Sequence, residues 1–168
     1  AIDLAIKEKA EIAMATDPDA DRIGIAVPDE SGNYVLLNGN QTCMLLTYYL
    51  CRRWNDAGRI NGSQYKIKTS VNPEMVGDVA KSFGVKSYDC LTGFKYIAQI
   101  IREREAVGEE YIGGGEESFG YLAGDFVRDK DGVSACALAA EAAAWAKSTG
   151  TTLYQLIKEL YIKYGFYK

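Results

Sequence analysis

The chain has 168 residues, 48% of them hydrophobic, and a net charge of −4, enough apolar material for one or two domains with a real core. That balance excludes a disordered polymer and a nucleic-acid binder working through bulk positive charge, and no basic patch interleaved with aromatics appears. No apolar run approaches the roughly 20 residues of a membrane span, and no basic segment precedes an apolar one at the start, so a cytoplasmic setting without membrane partners is expected.

Residue types narrow the chemistry further. The chain contains no histidine, which removes Ser-His-Asp and Cys-His nucleophile pairs and histidine-ligated metals from consideration within it. Proton transfer falls to carboxylate, lysine, tyrosine or cysteine. Cys43, Cys51, Cys90 and Cys136 show no Cys-x-x-Cys spacing. Cys43 and Cys51 on one helix would stand roughly 12 Å apart, so free thiols are expected and zinc is disfavoured.

In chain order, Ile2, Ala5, Ile6 and Ala10 recur at helical spacing, and a strand follows to about Thr16. An acidic run then precedes a strand at 23–27, a turn at Asp29–Asn33 and a short strand at Tyr34–Leu37. Residues 41–54 fit an amphipathic helix that ends at the Asn55–Gly58 breaker. Next come a strand at 65–71, a helix from near Pro73 to Phe83 stopped by Gly84, a strand at 85–90 and a helix at 94–104. A short strand at Tyr111-Ile112 leads into the glycines at 113–115. Beyond the charged turn Asp125–Gly132 lie an alanine-rich helix at 133–147 and a last helix at 153–164 capped by Thr151 or Thr152. Strands alternating with helices predict an α/β fold with a mixed, partly parallel sheet packed with helices, preceded by a partial α/β unit.

The run Asp17-Pro18-Asp19-Ala20-Asp21-Arg22 is the most informative stretch. Alternating carboxylates project to one side and converge on one hard cation, for which magnesium fits. Arg22 adds a fixed fork of donors suited to a phosphate oxygen. An EF-hand would need glycine and glutamate where Arg22 and Pro28 stand. A solvated acidic turn is the plain alternative, but the run joins two apolar, strand-like segments.

This hexapeptide resembles the metal loop of the α-D-phosphohexomutase family, the phosphoglucomutases and phosphomannomutases. Gly113-Gly114-Gly115-Glu116-Glu117-Ser118-Phe119-Gly120 resembles the family's sugar-recognition loop. Thr92-Gly93-Phe94-Lys95 resembles the segment with its acid/base lysine, and Asn38-Gly39-Asn40-Gln41 the opening of its third domain. The resemblance implies that residues 1–36 are the end of a metal-binding second domain and 37–168 a sugar-recognition third domain. It also implies that the phosphoserine-bearing first domain and the phosphate-binding fourth lie outside this chain, which alone would be inactive. The implied parent is an isomerase, an intramolecular phosphotransferase that moves phosphate between the 1- and 6-positions of a sugar, glucose foremost, through glucose-1,6-bisphosphate or a like intermediate.

Under this resemblance Asp17, Asp19 and Asp21 hold Mg²⁺ and Arg22 polarises the phosphoryl group. Glu116 and Ser118, one residue apart, grip the sugar from one side of an extended loop, and the glycines allow close backbone approach. Taken alone, those glycines equally fit a flexible turn beside solvated carboxylates. Lys95 is the first acid/base candidate and Lys68 the second, each also readable as an ordinary surface lysine. Phe94 stands where some phosphomannomutases carry histidine, which leans toward phosphoglucomutase- or phosphopentomutase-like chemistry. Arg128 and Lys130 belong to a charged surface turn that shapes the cleft, and Tyr161, Tyr164, Phe166 and Tyr167 read as packing or a domain edge. A non-catalytic sugar-phosphate or metal-binding module, or another Mg²⁺-dependent phosphotransferase, remains the alternative.

Overall fold

Residues 1–166 are described in this computed structural model. In chain order they form α1 (Ile2–Glu8), β1 (Ala13–Thr16), β2 (Ile23–Pro28), β3 (Tyr34–Leu37), α2 (Gly39–Asp56), β4 (Gln64–Thr69) and α3 (Glu74–Ser82). β5 (Lys86–Cys90), α4 (Phe94–Glu105), β6 (Glu110–Gly115), β7 (Tyr121–Leu122), α5 (Gly132–Ser148) and α6 (Leu153–Tyr164) follow. The strands fall into two sheets. The first is an antiparallel meander, β1-β2-β3, in which Thr16 pairs with Ile23, so the acidic run is the loop of a hairpin. The second has the order β5-β4-β6-β7, with β4 parallel to both neighbours and β7 antiparallel to β6.

Helices cover both faces of the second sheet, as parallel strands require. Tyr65 and Ile67 of β4 point to α4, where Phe94, Ile97 and Ile101 bury against them. The alternate residues face the other way: Lys68 lies beside Gly77 of α3, whose Cβ position is 3.9 Å from its Cε. The first sheet has no core of its own. Ile23, Ile25, Val27 and Leu37 share one cluster with Leu45 and Leu46 of α2, Leu138 of α5 and Leu156 of α6. Each such buried side chain contributes about 1.5–3 kcal/mol, so residues 1–36 are held to the remainder by hydrophobic burial.

Helix starts follow local chemistry. Asn38 and Gln41 form a reciprocal capping box on α2, and Thr152 and Gln155 form another on α6. Asp131 caps α5 by accepting from Val133 and Ser134 amides. All four cysteines are free, with Cys43 and Cys51 buried. Of the terminal aromatics, Tyr161 packs edge-on against Phe166 and accepts from Gln41, and the Tyr164 and Ser82 hydroxyls lie 2.7 Å apart. Tyr167 falls outside the described residues.

The glycines depart from expectation. Gly113, Gly114 and Gly115 are neither a loop nor a flexible turn; they complete β6 and are buried. A Cβ on Gly114 would sit 2.4 Å from the Ile67 carbonyl oxygen, and one on Gly113 2.8 Å from Leu50 Cδ1. One on Gly115 would sit 2.7 Å from the Gly120 oxygen. The absent side chains let neighbouring backbone and side chains close in on β6. β7 was also not anticipated, because two residues carry no readable alternation.

Candidate functional site

The acidic loop bends through Ala20, which takes the left-handed region at φ 58° although it has a Cβ. Such a conformation costs on the order of 1–3 kcal/mol and persists only where surroundings impose it. The restraints are present: Ala20 N donates to the Asp17 carbonyl, and the Asp17 carboxylate accepts from the amides of Asp21 at 3.2 Å and Arg22 at 3.0 Å. Burial works against the charged Asp17, yet the Arg22 amide, Asp19 and the Asp21 amide outweigh it and hold its pKa below the ordinary value.

One oxygen from each of Asp17, Asp19 and Asp21 lies within 4.8 Å of the others. Asp21 Oδ1 is buried with no hydrogen-bond partner. Among the described residues only the Arg22 guanidinium, at 3.7 Å, faces that oxygen, and a cation between the three carboxylates would complete it. Hard oxygen donors in an incomplete cage suit Mg²⁺, which keeps places for water or phosphate. Arg22 Nε stands 3.9 Å from Asp17 and 3.7 Å from Asp21, too long for hydrogen bonds, and half of its side chain is exposed.

The second loop runs from Glu116 to Gly120 and turns on another strained residue, Phe119 at φ 70°. Glu116 is only 5% exposed and accepts from the Gly93 amide at 3.0 Å. Burial raises its pKa, opposed by that amide and by the charge of Lys130. Glu117 Oε2 lies 2.8 Å from the Thr69 hydroxyl, and Thr69 is tied through Asn72 to Asn40. Gly39 lies flat against this loop: a Cβ there would be 1.8 Å from the Glu117 carbonyl oxygen. Ser118 sits in the same turn, half-buried.

Backbone bonds stitch the loops together. Arg22 bridges Gly120, and Ile23 N donates to the Phe119 carbonyl at 3.1 Å. Asp17, Asp19, Asp21, Arg22, Glu116 and Ser118 are thereby gathered on two joined loops.

The two lysines part company. Lys95 is exposed on the first turn of α4, two residues beyond the Gly93 that holds Glu116. It lines an open groove of about 760 Å³ with Tyr96, Arg102, Arg128 and Asp129. Lys68 is not a surface lysine; its ammonium is buried, 2.8 Å from Asp89 and 3.3 Å from Glu74. Burial pulls its pKa down, but Asp89 and Glu74 more than offset this and raise it, so the ammonium stays charged.

Lys130 is the residue that sequence reasoning undervalued. Its ammonium is 2.7 Å from Asp21, and its stem lies over Gly120. The pairing joins positions more than a hundred residues apart, and nothing in the sequence signalled it.

The molecule is thus an α/β protein in which a tricarboxylate loop and a Glu-x-Ser loop lie side by side. The chain belongs to the phosphoglucomutase/phosphomannomutase family, whose alpha/beta/alpha domain III matches residues 38–164. It is 32% identical over 167 residues to a phosphopentomutase of Homo sapiens and 35% identical over 166 residues to a glucose 1,6-bisphosphate synthase of Mus musculus. To a phosphoglucomutase of Staphylococcus aureus (strain N315) it is 37% identical over 165 residues. Each match takes in 98% of this chain but only 27–29% of the relative, so the chain spans little more than a quarter of their length. A phosphoglucomutase/phosphomannomutase family protein from Burkholderia thailandensis shares the fold at TM-score 0.70 and 20% identity, over 95% of this chain and 31% of that one. An N-acetylphosphoglucosamine mutase of Aspergillus fumigatus, solved with GlcNAc-6P and magnesium, does so at TM-score 0.60 and 15% identity, over 97% of this chain and 39% of that one. Among the described residues no helix is long and apolar enough to cross a membrane.

Proposed function

We propose that this chain is the cation- and sugar-holding part of a Mg²⁺-dependent phosphohexomutase that interconverts sugar 1-phosphate and 6-phosphate, with glucose phosphate as first substrate. The observation that carries the reading is the Arg22–Gly120 bridge, which joins the tricarboxylate loop to the Glu116–Ser118 loop. Residues 1–36 are read as the end of the second domain and 37–168 as the third. The family match beginning at residue 38 and the separate first sheet support that division.

Asp17, Asp19 and Asp21 would hold Mg²⁺, which when bound supplies charge neutralisation for a transferring phosphoryl group. Arg22, half-exposed beside them, offers its fork to the same phosphoryl oxygens. Glu116 accepts from one sugar hydroxyl and Ser118 exchanges a hydrogen bond with a neighbouring one, orienting the ring. Lys95 moves the proton of the reacting hydroxyl. It is preferred to Lys68, whose ammonium is engaged by two carboxylates. The phosphoserine and the remaining phosphate grip come from the parent's other domains, and the catalytic sugar bisphosphate from solution.

The test is conversion of glucose 1-phosphate to glucose 6-phosphate by the full-length protein with Mg²⁺ and catalytic glucose-1,6-bisphosphate. Asp19→Ala and Glu116→Ala are each expected to lower kcat/KM by at least about 100-fold. Absence of wild-type turnover on any hexose or pentose phosphate refutes the reading. Ribose 1-phosphate is assayed in parallel because the matched relatives include a phosphopentomutase.

A further inference from the structure

The Glu116–Gly120 loop carries a second carboxylate, Glu117, that the proposed function does not use. Its Oε2 lies 2.8 Å from the hydroxyl of Thr69, the fully buried last residue of β4. The same hydroxyl is 2.9 Å from Asn72 Oδ1, and Asn72, itself buried, donates through Nδ2 to Asn40 Oδ1 at 2.9 Å. One chain of side-chain contacts thus runs from the start of α2, through the connection between β4 and α3, to the loop.

The proton count along this chain gives it a direction. A hydroxyl has one proton to give, and two oxygens stand within reach of this one. Asn72 Oδ1 already accepts from the Thr69 amide at 3.0 Å, and turning the Asn72 amide group over would set two donors face to face. A carboxylate is also the stronger acceptor, so the Thr69 proton goes to Glu117. The loop around it is under strain: Phe119, at φ 70°, keeps a left-handed conformation that only its surroundings can impose. Those surroundings include the Gly93 amide on Glu116 at 3.0 Å and Gly39, where a Cβ would be 1.8 Å from the Glu117 carbonyl oxygen.

We propose that Thr69 is a positioning residue: its hydroxyl, steered by Asn72, holds the Glu117 carboxylate and so sets the placement of Glu116 and Ser118 on either side. The inference rests on the reading of Glu116 and Ser118 as the groups that orient the sugar. Thr69 touches no substrate in this role and acts through the loop, where a shift of about 1 Å is enough to cost activity.

The measurement is steady-state kinetics of the full-length protein on glucose 1-phosphate with Mg²⁺ and catalytic glucose-1,6-bisphosphate, with Mg²⁺ affinity and thermal melts alongside. Wild type, Glu116→Ala, Thr69→Val, Thr69→Ser, Glu117→Ala and the double variant Thr69→Val/Glu117→Ala are compared. Thr69→Val keeps the shape and removes the proton. It is expected to raise KM about tenfold, with kcat and Mg²⁺ affinity within about threefold of wild type. Thr69→Ser should recover most of the loss, and the double variant should be no worse than Glu117→Ala, because both substitutions remove one contact. A wild-type KM in Thr69→Val, with Glu116→Ala impaired, overturns the role of Thr69 and leaves the reading of Glu116 standing. Equal losses in Thr69→Ser and Thr69→Val, or additive losses in the double variant, overturn it too. Wild-type kinetics in Glu116→Ala overturn that reading and the inference with it. Should Thr69→Val fail to fold, Glu117→Gln decides, since it keeps an acceptor for the Thr69 proton. KM near wild type in Glu117→Gln, against a rise of about tenfold in Glu117→Ala, supports the proposal, and equal rises in both overturn it.

Discussion

The two joined loops are built on opposite terms. The acidic loop works through side chains that converge at its surface, so its carboxylates are exposed or half-buried while backbone bonds at Ala20, Arg22 and Ile23 hold it in place. The strand leading to the Glu116–Gly120 loop works through side chains it lacks: Gly113 to Gly115 are buried, and their bare backbone lets β4, β7 and α2 close around them. Substituting the first side should alter chemistry and spare the fold. Substituting the second should do the reverse.

The largest expected effect tests that contrast directly. Gly39→Ala places a methyl group against the Glu117 carbonyl, and Gly114→Ala against that of Ile67, and backbone at such distances must move. Each is expected to cost about 3 kcal/mol or more, a fall of roughly 10 °C in melting temperature. Asp19→Ala should stay within about 0.5 kcal/mol of wild type while losing Mg²⁺ binding. Thermal melts that failed to separate these variants would remove the contrast.

Next in size is a gain. Lys66 lies on central strand β4, buried, with no hydrogen-bond partner for its ammonium among the described residues. Burial brings its pKa down to about 8, opposed by Cys43 and reinforced by Lys68. The folded state therefore carries a penalty that is complete below pH 8 and fades as pH rises toward the unfolded value of 10.5, by roughly 3 kcal/mol in all. Lys66→Met, of similar length and without charge, should stabilise by about 2–3 kcal/mol at neutral pH, with the gain shrinking through that window. The difference between the two melting curves is the quantity to follow, since buried Cys43 and Cys51 lower stability at alkaline pH in both proteins. A gain that did not shrink with pH would mean that Lys66 is not a buried base.

These positions also show what could be read beforehand. The acidic hairpin was legible because its residues announce themselves: alternating Asp, a following Arg and apolar strands on either side. The helices and most strands followed from periodicity and caps, with α6 starting behind Thr152 as expected. The glycines were misread because a sequence shows their freedom and not its use; Leu50, Ile67 and Tyr121, which make side chains impossible there, come from other elements. For the same reason the plain alternative for Lys68, an ordinary surface lysine, fails on a strand that the sheet buries completely. Lys130 could not be paired with Asp21 until α5 docked on the hairpin.

A smaller effect is expected at the junction of the two sides. Asn38 caps α2 through the Gln41 amide, and that helix start is the surface on which the Glu116–Gly120 loop rests. Asn38→Ala should cost about 1 kcal/mol by loss of the cap. Chemical denaturation gives the size, and an unchanged midpoint would show that contact with Glu117 alone holds the helix start.

The smallest effect asks whether the buried carboxylate of Glu116 behaves as its surroundings dictate, under the proposed sugar-holding role. Burial raises the pKa of Glu116, against the Gly93 amide and Lys130, so its midpoint lies above the ordinary 4.5. An ionised carboxylate accepts from sugar hydroxyls more strongly than a neutral carboxyl, so protonation as pH falls through the raised midpoint should weaken the proposed grip. KM for the sugar phosphate should therefore rise a few-fold, under about 1 kcal/mol, between pH 7 and 5, with kcat less affected. The sign for stability is opposite, because the folded state binds the proton more readily than the unfolded one between 4.5 and the raised midpoint, so folding gains there as pH falls. Glu116→Gln should flatten both trends. A variant that kept the wild-type pH dependence of KM would assign it to another group, with the phosphate of the substrate as the first to examine.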